Sequence, residues 1–146
     1  MPTTAPYGSW KSPITTDLIV SGSIGRGEVA LDYEDIYWVE MRPAEGGRMV
    51  VVKRTPAGKI KDVTPDSFSA RTRVHEYGGG AYLVHEGTVY FSNYSDQRMY
   101  RQELDGEPRP ITPEVDMRYA DGCYDAGRNR VICVREDHTC GGLSSR

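Results

Sequence analysis

The stretch Asp35-Ile36-Tyr37-Trp38-Val39-Glu40-Met41 is followed by Arg42-Pro43-Ala44-Glu45-Gly46-Gly47 and then by Arg48-Met49-Val50-Val51-Val52. The same pattern is stated again further on, as Val89-Tyr90-Phe91-Ser92, a polar stretch, and Gln97-Arg98-Met99-Tyr100-Arg101. Each copy closes on a similar phrase, Gly58 with Val63-Thr64-Pro65 and Gly106 with Ile111-Thr112-Pro113, and a third copy opens at Val131-Ile132-Cys133-Val134. Self-similarity at a period of roughly 40–50 residues marks a solenoid, a propeller or an array.

The local chemistry says which. The first run is nearly continuous in large apolar and aromatic residues, as suits a strand covered on both faces, and Val50-Val51-Val52 has the β-branched side chains that fit a pleated surface. Pro43 with Gly46 and Gly47 predicts the turn between them. A short strand precedes each pair: Glu28-Val29-Ala30-Leu31, turning at Asp32-Tyr33-Glu34, and Ala81-Tyr82-Leu83-Val84, turning at His85-Glu86-Gly87. In the third copy the strand 120–124 turns at Asp125-Ala126-Gly127-Arg128-Asn129. A fourth strand follows each complete pair, near 60–63 and 109–111; Pro108 and Pro110 cannot donate to a ladder, which sets the latter on a sheet edge. Four consecutive strands ending on an edge make one propeller blade. The predicted fold is all-β, an incomplete β-propeller of four-stranded antiparallel blades: two blades and part of a third. The expected division is a leading segment 1–27, a partial propeller 28–138 with blades near 28–65, 81–113 and 119–138, and a divergent tail 139–146. No segment of ten residues or more has a helical period; 65–71 is read as the inter-blade connection, with room for one helical turn.

Composition narrows the classes of function. The chain has 146 residues, 16 Gly and 9 Pro, and a net charge of −3 with scattered Lys and Arg, which argues against nucleic-acid or membrane partners. No apolar run approaches the ~18 residues of a membrane span. The start, Met1-Pro2-Thr3-Thr4-Ala5-Pro6, lacks the pattern of a signal peptide, so a cytoplasmic location is expected. Cys123, Cys133 and Cys140 have no zinc-type spacing, and no cofactor or metal is expected. Cys123 and Cys133 are expected to face each other across a hairpin, as two buried thiols rather than as a disulfide.

Several stretches invite a catalytic or binding reading. Ser21-Gly22-Ser23-Ile24-Gly25 approaches a nucleophile elbow, but Ser21 stands where Gly-x-Ser-x-Gly needs glycine and no helix pattern follows. The glycines of 22–27 precede a strand instead of a helix, which removes the phosphate-loop reading. His85 and His138 are isolated, and Asp32, Glu34 and Asp35 read as solvated turn residues. The recurring aromatics Tyr37, Trp38, Tyr90, Phe91, Tyr94 and Tyr100 read as packing between blades. The strongest candidate is Arg73-Val74-His75-Glu76-Tyr77-Gly78-Gly79-Gly80, in which Arg73, His75, Glu76 and Tyr77 are candidate substrate-binding residues. The blander reading, favoured here, bonds these side chains to backbone where one blade hands over to the next, with the glycines filling the crowded axis.

That motif, with Tyr7-Gly8-Ser9-Trp10-Lys11-Ser12-Pro13-Ile14, Tyr90-Phe91-Ser92-Asn93 and Arg135-Glu136-Asp137-His138, resembles the N-terminal part of the prolyl oligopeptidase family. The likeness is to its acylaminoacyl-peptidase or dipeptidyl-aminopeptidase-like branch, and it extends to about His138. The resemblance implies an N-terminal propeller that screens the active site, and a Ser-Asp-His triad carried by an α/β-hydrolase domain. No catalytic residue is expected within these 146 residues, so the chain reads as a propeller fragment. The intact enzyme is expected to cleave amino-terminal or acylated residues from short peptides. The alternative is a stand-alone binding module that completes its ring by self-association through open sheet edges.

Overall fold

The computed structural model describes residues 4–9, 11–103 and 105–140. Trp10 of the family-like opening and residues 141–146 of the divergent tail lie outside the described residues. A five-residue helix, α1 (Thr16–Val20), is capped by Thr15, whose Oγ1 accepts from the Leu18 amide at 3.1 Å. Among the described residues ten strands follow, in three antiparallel sheets. The first is β1 (Gly25–Asp32), β2 (Asp35–Arg42), β3 (Arg48–Arg54) and β4 (Ile60–Asp62), paired in chain order. The second is β5 (Tyr82–His85), β6 (Thr88–Ser92), β7 (Met99–Glu103) and β8 (Arg109–Pro110), again in order. The third holds β9 (Met117–Asp125) and β10 (Arg130–Asp137). Two four-stranded blades and one hairpin are thus laid in sequence, an incomplete propeller.

The hairpins form where the residues allow the turn. Between β2 and β3, Pro43 opens a 3-10 turn (Pro43–Glu45), and Gly46 and Gly47 close it at φ 68° and 79°, a region that favours glycine. Val50, Val51 and Val52 are all buried, so both faces of β3 are covered, as the unbroken apolar run implied. Two ionisable side chains in this sheet are buried with partners. Lys53 Nζ lies 2.5 Å from Asp35, and Glu40 accepts from Trp38 Nε1 at 3.0 Å and from Arg42 at 2.9 Å.

The core lies between the first two blades, from Tyr37, Val39 and Val51 on one side to Val89, Phe91 and Tyr100 on the other. Burial of each such side chain contributes about 1.5–3 kcal/mol. The connection from β4 to β5 supplies Phe68, whose ring meets Phe91 edge-on at 5.8 Å and Tyr100 at 5.1 Å. Gln102 Nε2 donates to the Val63 carbonyl at 2.7 Å, and Ser92 Oγ to the Tyr119 carbonyl at 2.8 Å, so each blade is tied to the next by a buried hydrogen bond.

The innermost strands meet through two bulges. Register shifts in β1 between Gly27 and Ala30, and in the third hairpin between Ile132 and Val134. On the inner strand of each, one non-glycine residue is left-handed: Glu28 at φ 51° and Asp121 at φ 53°. Both carboxylates reach the start of β5, which lies between them. The Ala81 amide donates to Glu28 Oε2 at 2.9 Å, and the Gly80 amide to Asp121 Oδ1 at 2.7 Å. The Gly80 carbonyl accepts from the Asp121 amide at 2.8 Å.

Some sequence expectations are corrected. The bulge places Ile132, not Cys133, opposite Cys123, so the two cysteines are not a cross-strand pair, and Cys123 is exposed. Residues 65–71 connect the first two blades, as read from the sequence, through a turn closed by the Phe68 amide on the Pro65 carbonyl at 2.9 Å; the helical turn they had room for does not form. Asp32 is not merely solvated: it accepts from the Glu86 and Gly87 amides at 3.0 and 2.6 Å and clamps the first turn of the second blade. His85 stacks on Tyr124 with ring centres 4.0 Å apart.

A Cβ at Gly79 would lie 3.0 Å from Asp121 Oδ2 and 3.1 Å from the Ala120 Cβ, whereas one at Gly27 would meet nothing within 4 Å. Gly79→Ala should therefore cost about 1–3 kcal/mol in denaturant unfolding, and Gly27→Ala no more than about 1 kcal/mol. Equal midpoints for the two variants would contradict the close approach at the axis.

Candidate functional site

The connection 63–80 builds the site. From Ala70 to Val74 exposure alternates: Ala70, Thr72 and Val74 are buried, while Arg71 and Arg73 are exposed. That is the period of extended chain, and it turns both arginines to one side. The backbone is pinned along this run. The Ala70 amide donates to the Met49 carbonyl at 2.8 Å, the Arg71 amide to the Ser92 carbonyl at 2.9 Å, and the Arg73 amide to Gln97 Oε1 at 2.7 Å. Val74 is fully buried and anchors the end of the run.

Beyond Val74 the chain coils toward the axis. His75 and Glu76 are left-handed at φ 57° and 65°, and Gly78 follows at φ 100°. Non-glycine residues in this region cost on the order of 1 kcal/mol each, so neighbours must hold them. The Gly78 amide donates to the Val74 carbonyl at 2.8 Å and the Glu76 amide to the Arg73 carbonyl at 2.9 Å. The third blade supplies the remaining ties. The His75 amide donates to Glu136 Oε1 at 2.7 Å, and Arg118 reaches both Glu76, at 2.6 Å, and the Arg73 carbonyl, at 2.9 Å. Glu136 also lies 3.2 Å from His138 Nε2. The His75 amide holds the Glu136 carboxyl below its ordinary value, with further help from His138.

The four sequence candidates therefore part company. His75 and Glu76 are spent on the third blade. Tyr77 is exposed, its ring stacked at 5.9 Å on that of His75. Arg73 lies over the Tyr94 ring, with its guanidinium carbon 4.7 Å from the ring centre, and Arg71 lies over the same ring at 4.8 Å. The sequence reading missed Arg71 and the role of Tyr94. The signal was the alternation Arg71-Thr72-Arg73, which in extended chain puts both cations together. It also missed Glu28 and Asp121, although each stands four residues before an aspartate, Asp32 or Asp125, at the end of its strand.

No described serine hydroxyl bonds to a histidine among the hydrogen bonds of the described residues. No group of three or more His, Cys, Asp and Glu side chains among them is arranged to hold a metal ion. What the face offers is cations, aromatic rings and fixed amides, groups that can bind and orient a ligand.

No protein-family model and no curated protein matches the chain. Solved structures do. A puromycin hydrolase is 35% identical over 89% of this chain, with a TM-score of 0.75, and a puromycin-hydrolyzing peptidase of Mycobacterium tuberculosis is 37% identical over 92%, with a TM-score of 0.76. The chain spans 22% of the length of each of these proteins.

The Glu28 carboxyl is pushed above its ordinary value, first by loss of solvent, against the lowering effect of the Ala81 amide, and then by the charge of Asp121. An acid whose folded pKa exceeds its unfolded value costs the fold stability as pH rises above about 4.5, through the folded value. Glu28→Gln keeps an acceptor for Ala81 and removes the charge. Its stability relative to the parent should grow between pH 4 and pH 7 in urea unfolding. A gap that stays constant with pH would contradict this assignment.

Proposed function

We propose, from the premise that this chain is an N-terminal β-propeller segment of a prolyl oligopeptidase family serine peptidase, that the whole protein removes amino-terminal residues from short peptides. The observation that carries the reading is the 35–37% identity, over about nine tenths of this chain, to two puromycin-hydrolysing proteins. Puromycin holds an amino acid in an amide bond, so its hydrolysis is chemically the removal of an amino-terminal residue. Short peptides and acylated amino-terminal residues are the substrate class we assign. The acylaminoacyl-peptidase or dipeptidyl-aminopeptidase-like branch is the finer placement, supported by the wording of 73–80 and 135–138.

In this reading the catalytic triad belongs to the hydrolase part of the whole protein, and the described chain forms part of the wall that admits substrate. Its face of inter-blade connections, with Arg73 and Tyr77 exposed, contacts peptide. We place the protein in the cytoplasm because its three thiols are free. No helix among the described residues is long and apolar enough to cross a membrane.

The whole reading frame should hydrolyse an aminoacyl p-nitroanilide, an N-acetyl-aminoacyl p-nitroanilide or puromycin, and a serine-directed fluorophosphonate should abolish the activity. Failure on all three substrates would sink the peptidase assignment. The 146-residue chain alone should take up no fluorophosphonate, since it holds no Gly-x-Ser-x-Gly.

A second reading is favoured by the apolar side chains at the two ends of the arc. On β1, Val29 and Leu31 are 71% and 70% exposed, and on β10 Ile132 is 52% exposed. Copies of the chain would then complete a ring by self-association. Light scattering on the purified chain should give one discrete oligomer if this holds, and a monomer if it does not.

A further inference from the structure

The two arginines over Tyr94 are set up in a way that packing alone does not require. A guanidinium lying on an aromatic face spends its face on the ring and keeps its in-plane N–H donors free. Arg71 and Arg73 both sit over one ring, their guanidinium carbons 4.8 and 4.7 Å from its centre. No carboxylate pairs with either side chain among the described residues. The other arginines at this end of the blades are satisfied. Arg48 pairs with Glu45 and Asp66, Arg98 bonds the Thr112 carbonyl, and Arg118 bonds Glu76.

All three parts of the cluster stand on fixed backbone. The Arg71 and Arg73 amides are bound to Ser92 and Gln97, and the Tyr94 amide donates to the Ser69 carbonyl at 2.9 Å. The Gln97 side chain also donates to the Tyr94 carbonyl at 2.8 Å, so one residue braces both the ring and the Arg73 arm. Beside Arg71 and Tyr94 lies a depression of about 290 Å³, with Phe68, Ser69 and Ser95 in its wall; Arg73 stands outside it. It offers an apolar ring and hydroxyls next to Arg71, and its two carboxylates, Glu45 and Asp66, are both paired with Arg48.

We infer that Arg71, Arg73 and Tyr94 form a clasp for a carboxylate, and that its ligand is the C-terminal carboxylate of a short peptide. Two planar forks held on a ring match the two oxygens of a carboxylate, and the adjoining depression receives the side chain that precedes it. The clasp fixes the far end of a peptide whose amino end is presented elsewhere, and so sets an upper limit on peptide length. This inference rests on the peptidase reading, and it is tested by binding rather than by hydrolysis, so that the two fail separately.

The test is a titration of the isotopically labelled full chain, followed by NMR, with an N-acetylated dipeptide bearing a free carboxylate, the same dipeptide as its C-terminal amide, and inorganic phosphate. The free acid should shift the Arg71 and Arg73 side-chain Nε–H signals and the Ser69 and Tyr94 amides, and the amide and phosphate should do so far less. Arg73→Gln and Tyr94→Leu should each weaken binding of the acid about tenfold or more. Arg71→Lys, which keeps the charge without the fork and disturbs the fold least, should also weaken it. Equal shifts from acid and amide, phosphate binding as tightly as the acid, or unchanged affinity in Arg71→Lys and Arg73→Gln would each overturn the assignment.

Discussion

Two carboxylates on left-handed backbone hold this arc of blades together at its axis. Glu28 of the first blade and Asp121 of the third close on consecutive amides of the second, those of Ala81 and Gly80. Consecutive amides of extended chain point to opposite edges, so one strand can be gripped from both sides only in this way. Backbone donors need acceptors: Gly80 faces the edge that has no neighbour in its own sheet, and Ala81 stands where the ladder to β6 ends, because the Ser92 carbonyl is taken by the Arg71 amide. The bulges supply what the ladders cannot. They also explain the glycines, since a side chain at Gly79 would press on the Asp121 carboxylate.

The same grip decides where the polar face falls. With the start of β5 fixed at the axis and Ala70 fixed against Met49 and Asn93, the connection between them must cross one face of the arc. Its alternating burial presents Arg71 and Arg73, while its coil at His75 and Glu76 is held by Arg118 and Glu136 of the third blade. The face is therefore assembled from three blades, and no single blade would form it. That makes it a fixed platform, built before any ligand arrives, on which the proposed peptide contacts would rest.

The blades were legible because strand chemistry is local. Ile36-Tyr37-Trp38-Val39, the valines at 50–52, and the Pro-Gly turns state their conformation in consecutive residues. The bulges were not legible, because a one-residue shift changes which side chains oppose each other without changing composition. That is why Cys123 and Cys133 were expected to face each other and Ile132 stands there instead. Asp32 was read as a solvated turn residue because its partners, the amides of Glu86 and Gly87, lie in another blade. Of the surroundings of the motif 73–80, the sequence showed the local part alone: Arg73 lies over Tyr94, which stands next to Asn93 in the bridge that Asn93 makes with Ala70, and such a long-range neighbour leaves no local signal.

The central claim, that one inner strand is held by carboxylates from the blades on either side, is tested most directly by native-state hydrogen exchange at Gly80 and Ala81. Both amides should exchange as slowly as those of the β2–β3 ladder, Asp121→Ala should release Gly80 first, and Glu28→Ala should release Ala81 first. Exchange of both amides at the rate of an exposed loop in the parent chain would contradict the account.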